Sequence, residues 1–532
     1  MVQVDRPTAA LAEAAGGRHT RAAELLREAA TASNPGRAVD AAVVLHRQDL
    51  AREIAEGTDE LSDPTRARML AEEGEYSAAL RALSNHRSAL AQVVEGDLRV
   101  LNPATRTDRP IEKLTVALPV QRTCHFVTTA LPEAQTGYTL RTKGITDAQR
   151  RAGLQVDVIS RIGFPVDQGH LTAARTIDLD GVTYHRLLPH RPLSISADER
   201  LNMAVDESVT LLRRLQPQIV HAHSKHDNAQ VAIATGRRLG VPVVYEVRGF
   251  LEETWRSHGG SVGSERYRLT RQAETQCMRE ADVVVTLSAT MRDEIVSRGI
   301  PPHKVHLVPN AVGSAFLDDP PDRSRARAQL KLPDDARIVG LAGTLNRYEG
   351  LDTVINALAV LADPDVLLLV VGDGPDRHRL ELLARKQGVR AHFTGRVPHH
   401  CVRAHIAAMD LFCVPRHHTP VTRVVPPMKP LEALATGVPL IMSDLPPLKE
   451  LLTEVPDMGW IVEVDAAPKW AAELHRRLYD PLRLVDAGRA GREWILTART
   501  WAHMARRYDD IYAAAFGNTS APEHCGEGRE DG

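Results

Sequence analysis

The stretch RIVGLAGTLNRYEGLDTVINAL, residues 337–358, decides the fold class. A short apolar run is followed by a glycine-containing loop and then by a segment whose apolar residues have helical spacing. Strand, loop and helix in this order form the unit of a parallel sheet, because parallel strands need crossover connections. The loop carries Gly343, Arg347 and Gly350, where backbone N–H groups and the positive end of a helix can face an anion. An ordinary connection with a solvated Arg347 is the alternative interpretation.

The same alternation of strand-like and helical segments occurs in two series along the chain. Continuous Val and Ile runs without polar alternation indicate strands that are covered on both faces. The first series is KLTVALPV (113–120), VDVIS (156), IVHAH (219), PVVYEV (242), DVVVTLS (282) and VHLVPN (305). The second series is RIVGLAG (337), VLLLVVG (366), RAHFTG (390), LFCVP (411) and PLIMSD (439). We therefore predict an α/β fold with two Rossmann-like, doubly wound domains facing a cleft, preceded by an all-α region.

The predicted organisation has six parts. Residues 1–110 form a helical region, in which ARMLAEEGEYSAALRAL (67–83) resembles a tetratricopeptide-type hairpin with a turn at Gly74. The other parts are a first Rossmann-like domain (111–317), a linker (318–335), a second Rossmann-like domain (336–485), closing helices (486–516) and a disordered polar tail (517–532). Stability, oligomerisation and docking of a protein partner are equally open roles for the helical region.

Composition excludes several function classes. The chain has 532 residues, 43% of them hydrophobic, and a net charge of −2, which argues against a general nucleic-acid binder. The first thirty residues contain no apolar stretch of signal-peptide length, and the longest apolar run, residues 366–371, is too short to span a bilayer. We expect a cytoplasmic protein, with contact at the inner face of a membrane left open. The five cysteines are scattered without CxxC spacing, which predicts reduced thiols.

A second candidate site lies in VVPPMKPLEALATGVPLIMSD, residues 424–444. Pro430 suits the first turn of a helix, and Lys429 precedes it, so the lysine is predicted to lie beside the helix start and to favour a phosphate. Glu432 falls in the first turn. Its carboxylate either complements the helix dipole or accepts hydrogen bonds from vicinal hydroxyls such as those of ribose. The upstream cations Arg416 and Arg423 favour an anionic ligand.

The first domain contributes candidates at the predicted rim of the cleft. Gly137 precedes a helix in EAQTGYTLRTKGITDAQRRAG (133–153), for which a plain helix start capped by Thr136 is the alternative. YEVRGFLEETW (245–255) ends a strand with Arg248 and Gly249 and so delivers a cation to this rim.

Two motifs suggest a metal by composition, but neither predicts a metal site. In HAHSKH (221–226), His221 and His223 are two residues apart and no third ligand is visible in the sequence. DLDG (178–181) matches an Asp-x-Asp pattern, but a turn at Gly181 joining two strands explains it.

Together these segments resemble family 4 of the retaining glycosyltransferases, which have the two-domain GT-B fold. The resemblance covers residues 113–515 and rests on TGYTLRTKGI, VHAHS, VVYEVRGF, VVVTLSATMRDEIVSRG, VHLVPNAV, GTLNRYEGLDTVI, VVGDGP, FTGRVPHH and KPLEALATGVPLIMSD. It implies a metal-independent hexosyltransferase that moves a sugar from a UDP- or GDP-linked donor to a saccharide, lipid-linked or small-molecule acceptor, as in polysaccharide biosynthesis. It also implies no cofactor, since the nucleotide sugar is a substrate, with the acceptor on the first domain and the donor on the second.

The resemblance assigns roles to individual residues. The expected donor-binding residues are Glu432 at the ribose, Arg396 and Val397 at the base, and Gly343, Arg423 and Met428. The expected catalytic residues are Arg347, Lys429 and Arg248, the last standing where many members have a histidine near the donor sugar. Gly137 and Tyr138 fall in the acceptor-side loop.

The sequence also departs from the family pattern. The first glutamate of the usual Glu-x7-Glu pair is replaced by Val424, and the usual phosphate-binding arginine and lysine fall at Thr344 and Glu349. Pro427 removes one N–H from the phosphate cradle. The YEGLD and KPLEA forms resemble one branch of the family, in which Arg347, Lys429 and Arg423 are expected to take over the diphosphate. A catalytically inactive binding protein and a sugar-nucleotide epimerase are the alternative functions.

Overall fold

The computed structural model describes residues 5–15, 19–32, 35–45, 47–58, 61–83, 87–102 and 118–518. Most of the first predicted strand, residues 113–120, and the predicted tail from residue 519 onward lie outside these ranges. No helix in these ranges is both long enough and apolar enough to cross a bilayer.

The N-terminal region consists of helices that pack through alanine-rich faces. They are α1 (Arg6–Ala15), α2 (His19–Ala32), α3 (Pro35–Val44), α4 (Gln48–Glu56), α5 (Asp63–Glu72), α6 (Tyr76–Ala82) and α7 (Ala89–Leu101). The predicted hairpin is confirmed: α5 and α6 are joined through Gly74, whose φ of +86° is a conformation that glycine adopts without strain. The first four helices share one core, whereas α6 and α7 pack on Leu269 and Ala273 of the first Rossmann-like domain.

The first Rossmann-like domain contains an eight-stranded sheet of order β3-β4-β2-β1-β5-β6-β7-β8. Its strands are β1 (Arg122–Val127), β2 (Gln155–Ser160), β3 (Thr176–Leu179), β4 (Val182–Arg186), β5 (Ile219–His223), β6 (Val243–Val247), β7 (Val283–Thr286) and β8 (Val305–Leu307). Its helices are α8 (Gly137–Arg151), α9 (Ala197–Leu215), α10 (His226–Leu239), α11 (Leu251–Ser257), α12 (Glu265–Glu280) and α13 (Ala289–Ser297). All neighbouring strands are parallel except the pair β3 and β4.

Two features of this sheet relate to predicted segments. Strand β1, at residues 122–127, follows the predicted strand segment 113–120, most of which lies outside the described residues, and β1 itself was not predicted. It carries polar side chains, including Thr123 and His125, which are fully buried. The DLDG turn is confirmed, since Gly181 (φ +82°) lies in the connection between the antiparallel strands β3 and β4.

The second Rossmann-like domain has a six-stranded parallel sheet of order β11-β10-β9-β12-β13-β14. The strands are β9 (Arg337–Ala342), β10 (Val366–Val371), β11 (Ala391–Gly395), β12 (Leu411–Val414), β13 (Leu440–Ser443) and β14 (Gly459–Val462). The helices are α14 (Arg323–Gln329), α15 (Leu351–Leu361), α16 (Arg377–Lys386), α17 (His399–Ala407), α18 (Lys429–Ala435), α19 (Pro446–Glu454), α20 (Ala467–Leu478) and α21 (Pro481–Ala498). Helix α14 lies inside the segment interpreted as the linker, 318–335.

The chain returns to the first domain at its end. Helix α22 (Trp501–Asn518) follows α21 and packs on α8 and on strands of the first sheet. The two passages between the domains lie side by side, since the Val312 N–H donates to the Arg499 carbonyl at 3.0 Å and Val312 forms a parallel bridge with Thr500.

Candidate active site

Lys429 and Glu432 form an ion pair at the start of α18. The Lys429 Nζ donates to the Glu432 Oε2 at 2.8 Å, with the two side chains 31% and 7% exposed. Gly343 lies opposite, since a Cβ built on it would be 4.0 Å from the Lys429 Cγ. The structure therefore brings three of the predicted donor-site residues together, on the loop after β9 and on α18.

Arg347 lies in the same loop, at the start of a 3₁₀ turn, and its side chain is exposed. Within the described part of the chain, this side chain makes no hydrogen bond or ion pair. Two glycines fix the loop: Gly350 has a φ of +71°, and a Cβ on it would lie 1.9 Å from the Pro415 carbonyl oxygen. A Cβ on Gly372, in the neighbouring loop after β10, would lie 1.9 Å from the Gly343 carbonyl oxygen. No side chain fits at either glycine. The loop that carries Gly343 and Gly350 therefore contacts two other segments through backbone atoms, one at Pro415 and one at Gly372.

Arg416 is committed to an internal pair. Its guanidinium donates to both carboxylate oxygens of Glu349, at 2.9 and 3.0 Å, and to the Val425 carbonyl at 3.1 Å. The expectation that Arg416 serves an anionic ligand is therefore revised, because its donors are occupied. Arg416 thus neutralises Glu349, which stands where the family pattern has a phosphate-binding lysine.

His417 fixes the other side of the Arg347 loop. Its ring lies between the carboxylates of Asp352, at 2.9 Å from Nε2, and Asp465, on Nδ1. Hydrogen bonds to these carboxylates raise the pKa of His417 to about 9. The backbone N–H of His417 donates to the Tyr348 carbonyl at 3.0 Å, so the charged cluster is joined directly to the turn that carries Arg347.

The segment before α18 reaches the first domain. Val424 packs against the core of that domain, and a Cβ on Gly137 would lie 3.4 Å from the Met428 Sδ. The missing first glutamate thus has a structural counterpart: Val424 makes an apolar contact across the cleft. The same segment brings Met428 to Gly137, in the predicted acceptor-side loop.

Arg248 is buried and does not point a free charge into the cleft. Its guanidinium donates to the Glu246 Oε1 at 2.6 Å, to the Tyr138 carbonyl at 2.9 Å and to the Thr142 Oγ1 at 2.8 Å, and it lies 2.6 Å from the His223 Nδ1. It also lies over the Tyr138 ring, 4.7 Å from its centroid. The prediction of a cation at the rim is therefore revised: Arg248 holds Tyr138, in the predicted acceptor-side loop, in place.

Glu246 is the centre of a buried polar network in the first domain. It pairs with Arg141 at 2.9 Å and with Arg248, and it accepts a hydrogen bond from the Tyr508 hydroxyl of α22. Burial raises the pKa of Glu246, but Arg141 and Arg248 outweigh this effect and hold the pKa well below its ordinary value.

His125 is a third buried histidine beside His221 and His223. Its position next to them was not predicted from the sequence. The signal lay in the parallel register, which pairs His125 with His221. The His125 Nδ1 lies only 2.8 Å from the His223 Nε2, and Arg248 contacts the other nitrogen of His223. Hydrogen-bonded nitrogens beside a guanidinium form a poor donor set for a cation, so the cluster is a structural network.

The remaining predicted donor residues lie on the second domain without joining the Lys429 pair. Arg396 and Arg423 are exposed, and among the described residues neither side chain makes a hydrogen bond or ion pair. Val397 is half-buried and packs on the core of the second domain.

Comparison with known proteins covers both domains. The family described as glycosyl transferases group 1 matches residues 322–494, and the glycosyl transferase 4-like domain matches residues 136–311. A GDP-mannose-dependent alpha-mannosyltransferase of Mycolicibacterium smegmatis is 30% identical over 393 residues, which are 71% of this chain and 93% of that protein. A GDP-mannose-dependent monoacylated alpha-(1-6)-phosphatidylinositol monomannoside mannosyltransferase of Corynebacterium glutamicum is 29% identical over 48% of this chain and 68% of that protein.

The fold is that of sucrose-phosphate synthase from Thermosynechococcus elongatus, with a TM-score of 0.61 at 20% identity over 74% of this chain and 99% of that one. The sequence similarities, and not the fold alone, favour glycosyl transfer over an inactive scaffold or an epimerase. The chain belongs to family 4 of the retaining glycosyltransferases, with the GT-B fold, and is a glycosyltransferase that uses a nucleotide-sugar donor.

Proposed function

We propose that the second domain binds the donor with Lys429 and Arg347 at the diphosphate and Glu432 at the ribose. The observation that carries this assignment is the Lys429–Glu432 pair facing Gly343, with the unpaired cation Arg347 in the same glycine loop. When a donor binds, the ribose hydroxyls can donate to Glu432, and the Lys429 ammonium can then turn towards a phosphate oxygen.

The reaction breaks the bond between the anomeric carbon and the diphosphate oxygen, and it forms a bond from that carbon to an acceptor hydroxyl oxygen. The hydroxyl proton passes to the leaving diphosphate, and retention follows from attack on the face that the diphosphate leaves. The leaving group gains negative charge, so fixed cations stabilise the transition state more than the ground state. Lys429 and Arg347 supply this charge, and we expect no requirement for a divalent cation.

Base recognition falls to the main chain at Arg396 and Val397, and the exposed Arg423 is a further cation for the phosphates. GDP-mannose is the first donor to test, because the two sequence relatives are named as dependent on it. UDP-glucose is the comparison donor, and a donor-binding panel precedes any search for an acceptor.

Turnover of Lys429→Ala and Arg347→Ala tests the assignment. Each substitution removes one donor to the developing charge, which is expected to cost about 3 kcal/mol of transition-state stabilisation, roughly a hundredfold in kcat. The matched controls are Lys469→Ala and Arg489→Ala, which remove exposed cations of the second domain that are paired with Glu463 and Asp486. Near-normal turnover in both test variants, or loss of turnover in EDTA, would refute the assignment.

A further inference from the structure

A cavity of 780 Å³ lies between the N-terminal helices and the carboxyl ends of the first sheet. Its floor includes Phe126 at the end of β1 and Ser160 at the end of β2, and one wall is formed by Tyr76 of α6 and Asp97 of α7. Its volume is within the range of about 300 to 1,000 Å³ that is typical of small-molecule sites. Helices outside both matched family regions thus complete a pocket at the ligand-binding edge of an α/β sheet.

The helical wall is fixed to the first domain. Gly96 of α7 allows a close approach, because a Cβ on it would lie 2.7 Å from the Ala197 backbone nitrogen. The Gln230 Nε2 donates to the Val100 carbonyl at 2.9 Å, so α7 is also held by α10. These contacts make the wall a defined surface.

One carboxylate in the lining of the cavity has no protein partner among the described residues. The Asp97 carboxylate makes no hydrogen bond or ion pair with them, and burial raises its pKa. A largely buried carboxylate normally has a partner, and a hydroxyl-bearing ligand would supply it.

The rest of the lining defines the ligand further. The basic side chains are those of Arg161, Arg200, Lys225 and Arg266. The carboxylates are those of Asp97, Asp167, Asp227 and Glu252. Because the charges balance, no net charge on the ligand is favoured. The apolar lining includes Phe126, Val100, Leu187, Leu201 and Trp255, which suits an apolar body.

We propose that this cavity is the acceptor site, and that the N-terminal helices make it selective for a neutral amphiphile with a hydroxylated head and an apolar body. This inference rests on the proposed function. The cavity borders the donor side, because the N–H of Thr128 in its lining donates to the Tyr138 hydroxyl at 3.2 Å. Tyr138 is adjacent to Gly137, which faces Met428.

Fluorescence of Trp255 in the full chain provides the test. It is the one tryptophan that lines the cavity, and the difference from Trp255→Phe isolates its signal. Octyl β-D-glucopyranoside, below its micelle concentration, is titrated against methyl β-D-glucopyranoside, which lacks the apolar chain. The octyl compound is expected to bind at least about tenfold more tightly, since burial of its methylenes contributes favourably.

Asp97→Asn is expected to weaken octyl glucoside binding about tenfold, because a charged acceptor for a hydroxyl is lost. Glu95→Gln is the matched control on the same helix: Glu95 pairs with Arg99 at 3.5 Å, and its change should leave the affinity unaltered. Gly96→Val, which displaces the wall, should weaken binding as well, with the melting temperature confirming that the variant is folded.

Failure of octyl β-D-glucopyranoside to bind, equal affinity for the two probes, or wild-type affinity in Asp97→Asn would each overturn the inference. Calorimetric titration with GDP-mannose and UDP-glucose tests the proposed function separately. A wild-type protein that binds a donor but shows any of the three results above refutes only the acceptor site, whereas absence of donor binding refutes the proposed function.

Discussion

Replacement of His417 by Asn is expected to destabilise the protein in a pH-dependent way. The ring lies between Asp352 and Asp465, and Asp352 also pairs with Arg379 at 3.2 Å. Asparagine keeps a polar side chain of similar size but cannot carry the positive charge. The variant therefore removes the charge that these two carboxylates share.

The sign and size follow from the pKa of His417, which rises from 6.5 to about 9. The protonated ring stabilises the folded state fully below pH 6.5, and this stabilisation is lost as the pH rises through 9. The rise corresponds to about 3 kcal/mol before screening. Solvent reaches the half-buried ring, which reduces the expected contribution to about 1 to 2 kcal/mol.

The assay is urea unfolding of wild type and His417→Asn between pH 6 and pH 10, with the free energy of unfolding extrapolated to water. The gap between the two proteins should be widest near pH 6 and should narrow towards pH 10. His475→Asn, which alters an exposed histidine of the second domain, is the control and should show no such trend. A gap of constant size across the range would refute the reasoning.

Three further outcomes are expected. Gly350→Ala should cost about 2 to 4 kcal/mol of unfolding free energy, measured in urea, because it combines a left-handed conformation with a steric clash. Arg416→Gln should lower kcat with the proposed donor GDP-mannose at least about tenfold, since the unpaired Glu349 carboxylate then lies beside the proposed diphosphate site, and the added change Glu349→Gln should restore most of the loss. Tyr508→Phe should lower the free energy of unfolding by about 2 kcal/mol, because the buried Glu246 carboxylate loses a hydrogen bond.

Each of these has a result that contradicts it. Wild-type stability of Gly350→Ala would mean that the loop backbone can move aside. A double variant no more active than Arg416→Gln would show that the arginine acts on the ligand directly. Tyr479→Phe, which alters an exposed tyrosine bonded to Asp363, is the control for Tyr508→Phe, and equal losses would remove the argument for a buried network.

The sheets were predictable from sequence because strands that are covered on both faces consist of continuous apolar runs. The second sheet follows the predicted series, with the short edge strand β14 added. Strand β1 was not predicted, because Thr123 and His125 are buried in a polar network and so interrupt the apolar run that would indicate a strand. Hydrophobic periodicity reports burial against apolar neighbours only.

The candidate site was predictable where one segment carries it, as with Lys429 and Glu432 on a single helical turn. It was not predictable where distant segments meet. The Arg416–Glu349 pair joins residues 67 positions apart, and the Arg248 bonds join three segments of the first domain. Such pairings depend on tertiary geometry, so charge type alone gave the wrong expectation for both arginines.

The double passage of the chain between the domains limits how the cleft can open. Because the crossings at Val312 and Thr500 are hydrogen-bonded neighbours, both must bend together at one point. Rotation of the domains about a single axis through that point is compatible with this arrangement. Sliding of one domain along the other would break the hydrogen bond between Val312 and Arg499. Each closure should therefore return Met428 to the same place over Gly137, giving every catalytic cycle the same alignment of lobes.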